Sequence, residues 1–183
     1  MRARLRDAYD DTRLAEIYPA PHVHTKWADH VVRVALTTEL CKALVGRVAA
    51  AADLSCGDGA IVKGVNADRV YLGDFAPGHE FHGPIEQTVW QIPHVDVFVC
   101  TETLEHVDDP DKVLAAIRQK TDALILSTPV DAWQDRNPEH YWAWSRTDVE
   151  EMLRVSGFDV RLYAELDCRP GGGEYAFGIW GCR

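Results

Sequence analysis

The sequence contains no C-x-x-C pair, and its five cysteines, Cys41, Cys56, Cys100, Cys168 and Cys182, are odd in number and widely scattered. That excludes zinc-ribbon spacing and an even disulfide framework, so reduced thiols are expected. No apolar run is long enough to cross a bilayer. The basic start Met1-Arg2-Ala3-Arg4-Leu5-Arg6 is not followed by an apolar segment, which argues against a signal peptide and for a cytoplasmic protein. Positive charge is scarce as well. The formal net charge is -10 and the basic residues form no stripe, which argues against a nucleic-acid groove and for a small-molecule substrate. Internal repeats, low-complexity tracts and linker-like composition shifts are missing too. The 183 residues are therefore expected to form one domain over 1–183, with a core large enough to fold without staples.

What is present is an alternation of apolar runs and helical patterns within a chain that is 46% apolar, and this predicts an α/β sheet flanked by helices. Residues 1–18 are rich in charge and read as a flexible arm or a docked helix. Residues 19–47 supply a polar and aromatic loop, with His22, His24, Lys26 and Trp27, followed by a helix with Val31, Val34, Ala35, Cys41, Leu44 and Val45 approximating one face. Strands are expected at 49–54, at 69–75, near Ile85, at 96–100 and at 123–127. The continuous apolar runs at 96–100 and 123–127 suit parallel strands covered on both faces. Asp109-Pro110 provides an N-cap and a first-turn proline, and Ser145-Arg146-Thr147-Asp148 starts a second capped helix that stops at Ser156-Gly157. Two last strands, 160–166 and 174–180, flank Arg169-Pro170-Gly171-Gly172-Gly173, the composition of a hairpin loop.

The stretch Val48-Ala49-Ala50-Ala51-Ala52-Asp53-Leu54-Ser55-Cys56-Gly57-Asp58-Gly59 ends a buried strand in an acid and then breaks into small residues. In a parallel sheet that turn lies at the carboxyl edge, where ligands bind and where glycines let a ligand approach the backbone. Asp74 ends the second strand about 20 residues after Asp53, the spacing at which a carboxylate accepts ribose hydroxyls. The ordinary alternative is a tight turn followed by a turn acid.

These residues resemble a known family, the class I S-adenosylmethionine-dependent methyltransferases of Rossmann-like fold, in their small-molecule branch. Asp53-Leu54-Ser55-Cys56-Gly57-Asp58-Gly59 is similar to its first motif, D-L-G-C-G-x-G, with Ser55 in place of a glycine. Thr101-Glu102-Thr103-Leu104-Glu105-His106-Val107-Asp108-Asp109-Pro110 is similar to its strand-four segment. Leu126-Ser127-Thr128-Pro129, Pro138-Glu139-His140, Trp144-Ser145 and Ser156-Gly157-Phe158 follow in the family's order. The resemblance implies a three-layer sandwich around a mainly parallel seven-stranded sheet with an antiparallel last strand and a C-terminal hairpin. It also implies S-adenosylmethionine as cofactor and S-adenosylhomocysteine as product. Asp53, Ser55, Cys56, Gly57 and Gly59 would then surround the methionine part, Asp74 the ribose, Ile85 and Glu86 the adenine, and Cys100 and Thr101 the methionine amine. Pro84 stands where many relatives carry an acid.

A hydroxyl or carbon acceptor needs a general base, and histidine is poised for it near neutral pH. His106, at the edge after the fourth strand, is the first candidate, with a backbone-bonded helix-start histidine as the ordinary alternative. His140 is the second. Tyr141 and Trp144 offer a substrate wall, although packing onto the sheet would explain such rings too, and Trp27 lies in the loop of 19–47 that the resemblance implies is a lid ahead of the first long helix. His22, His24 and His30 invite a metal reading, but no carboxylate or thiol stands at ligand spacing, so no metal is expected. The expected function is methyl transfer to a small-molecule acceptor. The competing one is an inactive cofactor-binding sensor or partner subunit. A nicotinamide dehydrogenase fits less well, because the turn reads G-x-G and lacks the third glycine. The C-terminal strands also offer an edge for a homodimer.

Overall fold

The computed structural model describes residues 2–183, without the side chain of Asp29. A two-residue strand, β1 (Ala3–Arg4), precedes helix α1 (Asp11–Ile17), whose N-cap Asp10 accepts from the Arg13 N–H. Helix α2 (Ala28–Val45) leads through Gly46 into β2 (Val48–Asp53). Strands β3 (Ala67–Asp74) and β4 (Phe81–His82), the short helix α3 (Ile85–Thr88) and β5 (Val97–Thr101) come next. The chain then alternates as α4 (Pro110–Arg118), β6 (Leu124–Val130), β7 (Trp142–Ala143) and α5 (Arg146–Val155). The antiparallel strands β8 (Val160–Asp167) and β9 (Ala176–Cys182) end it.

Seven strands form one sheet in the order β4-β3-β2-β5-β6-β9-β8. Every pairing from β4 to β6 is parallel, and β9 enters antiparallel between β6 and β8. The order reverses between β2 and β5, which opens a crevice beyond their carboxyl ends. All residues of β5, β6 and β9 are buried, as the apolar runs predict. Their side chains alternate between two cores. Phe98, Leu124 and Leu126 face α4 and α5, packing with Leu114, Ile117, Trp144 and Leu153, whereas Val97, Val99 and Ile125 face α2 and Cys41. Each such Phe, Leu or Val contributes about 1.5–3 kcal/mol through removal from water. The expected three-layer, seven-stranded sheet with an antiparallel last strand is therefore the observed one.

The caps read from the sequence are formed. Asp109 accepts from the Lys112 N–H ahead of Pro110, and Ser145 with Asp148 forms a complete capping box. The strand expected near Ile85 is a correction. Gly83 has φ +128 and Pro84, lacking an N–H for a ladder, caps α3, with its carbonyl accepting from the Gln87 and Thr88 N–H groups. The edge strand lies earlier, at β4.

Residues 2–18 pack along the body of the chain. β1 pairs antiparallel with β7, and the guanidinium groups of Arg2 and Arg4 each lie 5.2 Å from the Trp142 ring centroid. Arg2 also pairs with Asp111 and Arg4 with Asp108. Helix α1 buries no residue completely. No helix among the described residues is long and apolar enough to cross a membrane.

Candidate active site

The turn after β2 carries Gly57 at φ +53 and Gly59 at φ +77, whereas Ser55 stays outside the left-handed region. The serine in the motif is thus accommodated by placing the positive φ angles on the two glycines. Asp74, at the end of β3, holds this turn: one carboxylate oxygen accepts from the Gly57 N–H (2.7 Å) and the other from the Ala76 N–H (2.9 Å). A Cβ on Gly57 would stand 2.7 Å from the His22 carbonyl oxygen, so the 22–24 segment lies directly over the turn.

Beyond these carboxyl ends lies a cavity of about 410 Å³. Ser55, Gly57, Asp74, Ile85, Glu86 and Thr101 line one part of it, and His106, His140 and Tyr141 line another. Of the expected cofactor residues, Asp53, Cys56, Gly59 and Cys100 lie behind this surface. Asp53 is 2% exposed and accepts from the Ser55 N–H at 3.1 Å. Burial pushes its carboxyl up to about 8, with the Ser55 backbone bond opposing the shift and the charge of Asp74 adding to it. Cys56 and Cys100 are buried in opposite cores, and Gly59 faces the Lys63 side chain. The side chains of Asp53, Cys56 and Cys100 therefore support the turn and the sheet, and none of these four residues walls the cavity.

Two of the three aromatic candidates are also elsewhere. Trp144 is 1% exposed, with its indole N–H donating to the Thr128 hydroxyl and the Pro129 carbonyl. Trp27 is 51% exposed at the N-cap of α2, under the Lys26 ammonium. Only Tyr141 lines the cavity, its hydroxyl accepting from the Tyr9 N–H.

The histidines converge. The one-turn helix Leu104–His106 after β5 brings His106 within 4.6 Å, ring centroid to centroid, of His140. The Nδ1 of His106 bonds the Glu139 carbonyl at 2.9 Å, and the Nδ1 of His140 bonds Asp135 Oδ2 at 2.6 Å. Desolvation, then the charge of His140, lowers His106 to about 3 and keeps it neutral. Burial would lower His140 as well, but the bonded Asp135 and the charge of Glu105 raise it above the ordinary value. Of the two rings, His140 is therefore the more basic and the better placed to accept a proton.

Sequence reasoning passed over four further groups. Arg33 of α2 is 1% exposed, lines the cavity, stands 3.8 Å from Glu102 and leaves Nε and Nη1 without hydrogen-bond partners. Glu102 holds a left-handed φ of +53 and accepts from Ser127 at 2.7 Å, a strained backbone of the kind found at functional sites. Glu105 is 1% exposed beside the histidine pair. Tyr18 closes the cavity from the N-terminal side, donating to Glu139 at 2.6 Å. Glu102 and Glu105 stood inside the E-x-x-E-H segment, whereas nothing in the sequence marked Arg33 or Tyr18.

No family model and no curated protein matches the sequence. Solved structures do. The N-methyltransferase NodS from Bradyrhizobium japonicum, in complex with S-adenosylhomocysteine, superposes with a TM-score of 0.73 at 14% identity, covering 96% of this chain and 98% of that one. The chain has the class I methyltransferase fold. The 1,6-didemethyltoxoflavin-N1-methyltransferase of Burkholderia thailandensis shares this fold with a TM-score of 0.70 at 16% identity, over 100% of this chain and 94% of that one. The [4+2]-cyclase SpnF shares it too, with a TM-score of 0.66 at 14% identity, over 99% of this chain and 98% of that one. The methyltransferase fold thus carries more than one reaction type, and the reaction is set by the cavity grafted on it.

Proposed function

We propose that the protein is an S-adenosylmethionine-dependent methyltransferase acting on a small-molecule acceptor. The observation that carries the reading is that one cavity joins the Gly57–Asp74 turn to the His106–His140 pair. The fold shared with N-methyltransferases crystallised with S-adenosylhomocysteine supports it.

The residues present fit such a cofactor. Buried Arg33, with two nitrogens that make no hydrogen bond, suits the amino-acid carboxylate, and Glu102 beside it suits the ammonium group. Asp74 suits the ribose hydroxyls, and Ile85 with Glu86 suits the adenine. When bound, the cofactor supplies an electrophilic methyl group on a sulfonium. The chain itself positions the acceptor and excludes water through Tyr9, Tyr18 and the 22–24 segment, all of which close over the cavity. His140, held by Asp135, takes up the acceptor's proton at Nε2.

Calorimetric titration with S-adenosylmethionine and S-adenosylhomocysteine, with NAD as control, tests this reading. Binding of both sulfur nucleosides is expected. Asp74→Ala removes the carboxylate that would accept from the ribose hydroxyls and should weaken binding by about 3 kcal/mol, on the order of 100-fold. Absence of binding in the wild-type protein would refute the proposal.

A further inference from the structure

We infer that Glu105, His106 and His140 form a site for a first-row divalent transition-metal cation, whose open side faces the acceptor part of the cavity. The inference rests on the cavity being an acceptor site, as proposed above.

One ligand atom from each of these three residues lies within 4.8 Å of the others. Each imidazole has its Nδ1 engaged on the outer side, His140 with the Asp135 carboxylate and His106 with the Glu139 carbonyl, which leaves Nε2 as the lone-pair donor. This is how metal-binding histidines are held, with a carboxylate or carbonyl fixing the tautomer from behind. Asp135 is fixed in turn by the Tyr175 hydroxyl (3.1 Å) and the Asn137 N–H (2.8 Å).

The second observation is independent of the histidines. Glu105 is 1% exposed, its Oε2 accepts from Thr128 at 3.0 Å, and its Oε1 has no hydrogen-bond partner. A buried carboxylate oxygen without a donor costs free energy, and a cation held jointly with two imidazoles would satisfy it. Two nitrogens and one oxygen match zinc, cobalt or manganese better than calcium or magnesium, which favour all-oxygen sets.

The other histidine cluster lacks these features. In the group of His22, His24 and His30, His24 Nδ1 bonds the Arg33 guanidinium at 3.3 Å, and that positive charge opposes a cation. At the Glu105 site both histidines border the cavity while Glu105 lies behind them, the arrangement of a catalytic metal with an open position. An acceptor hydroxyl fits there: its oxygen lone pair binds the cation, its O–H bond breaks with the electron pair kept on oxygen, and the proton passes to water. The cation keeps its oxidation state and replaces His140 as the agent of deprotonation. The acceptor class is therefore a hydroxyl-bearing small molecule.

The test is titration of chelator-treated protein with Co²⁺, read by visible d–d absorption, and with Zn²⁺, read by calorimetry, without any sulfur nucleoside. One equivalent is expected to bind. Glu105→Gln and His106→Gln should abolish the absorption bands, and His22→Gln should keep them. Asp135→Asn, which perturbs only the outer support, should weaken binding by about 10–100-fold. S-adenosylhomocysteine affinity and the thermal transition of each variant report separately on folding and on the cofactor half. Lack of binding by wild-type protein, or binding unchanged in both Glu105→Gln and His106→Gln, overturns the metal site even if sulfur nucleosides bind. Metal binding without sulfur-nucleoside binding upholds the cation site and refutes the methyltransferase reading instead.

Discussion

Asp53→Asn gives the sharpest pH prediction. Asp53 is buried under the turn after β2, and desolvation holds its carboxyl near 8 in the folded protein, against about 3.9 in an unfolded chain. Between those values the folded state keeps a proton that the unfolded state has released. The stabilisation associated with this proton is complete below about pH 4 and is lost as pH rises through 8. Within the window the loss approaches 1.36 kcal/mol per pH unit, so wild-type stability should fall relative to Asp53→Asn by roughly 2–3 kcal/mol between pH 5 and pH 7. Glu105 is also pushed up, by burial and the charge of Glu102, but it is common to both proteins and cancels in the difference. Urea denaturation of both proteins at pH 5, 6 and 7 measures the gap. A gap independent of pH would mean that Asp53 is ionised in the native state at pH 5, and the desolvation argument would fail.

Trp144→Phe should lower stability by about 1–3 kcal/mol, because the Pro129 carbonyl loses a donor and the core loses ring volume, and denaturant midpoints would record this. Sulfur-nucleoside affinity should stay unchanged, because the ring does not reach the cavity; a selective loss of affinity would show that it does. Tyr18→Phe should release the N-terminal flap by removing the bond to Glu139, speeding exchange of α1 amides about 10–100-fold while β5 amides keep their rate. Equal acceleration of both would mean that the flap does not open independently.

The sheet was legible because its signals are local. A strand covered on both faces needs a continuous apolar run, and 96–100 and 123–127 are such runs. A helix start needs a side-chain cap, and Asp109-Pro110 and Ser145-x-x-Asp148 supply one each. Ile85 misled because an apolar residue between turn formers fits a short strand as well as a first helical turn. What decides is the Pro84 carbonyl, which accepts two N–H bonds from the following turn.

The aromatic run shows where local reading stops. Along the extended β7 segment, side chains alternate in direction, so Trp142 and Trp144 point toward the core that α4 and α5 cover, while Tyr141 points into the cavity. Composition marks the whole run as substrate wall or core, and only the strand's orientation divides it.

The His–His–Glu cluster was hidden for a stronger reason: its members come from two segments more than 30 residues apart, with the supporting Asp135 on the second. Ligand spacing in a sequence detects clusters built on one hairpin or one helix, whereas this cluster is assembled by the sheet. Strand β5 delivers Glu105 and His106 through a single turn, and the loop after β6 brings Asp135 and His140 back across them. The neighbouring β5–β6 pairing, Thr101 beside Ser127, sets where both segments leave the sheet. The register of two buried strands thus fixes the separation of His106 and His140 at the cavity, so a substitution that shifts β6 against β5 would change that separation without touching either ring.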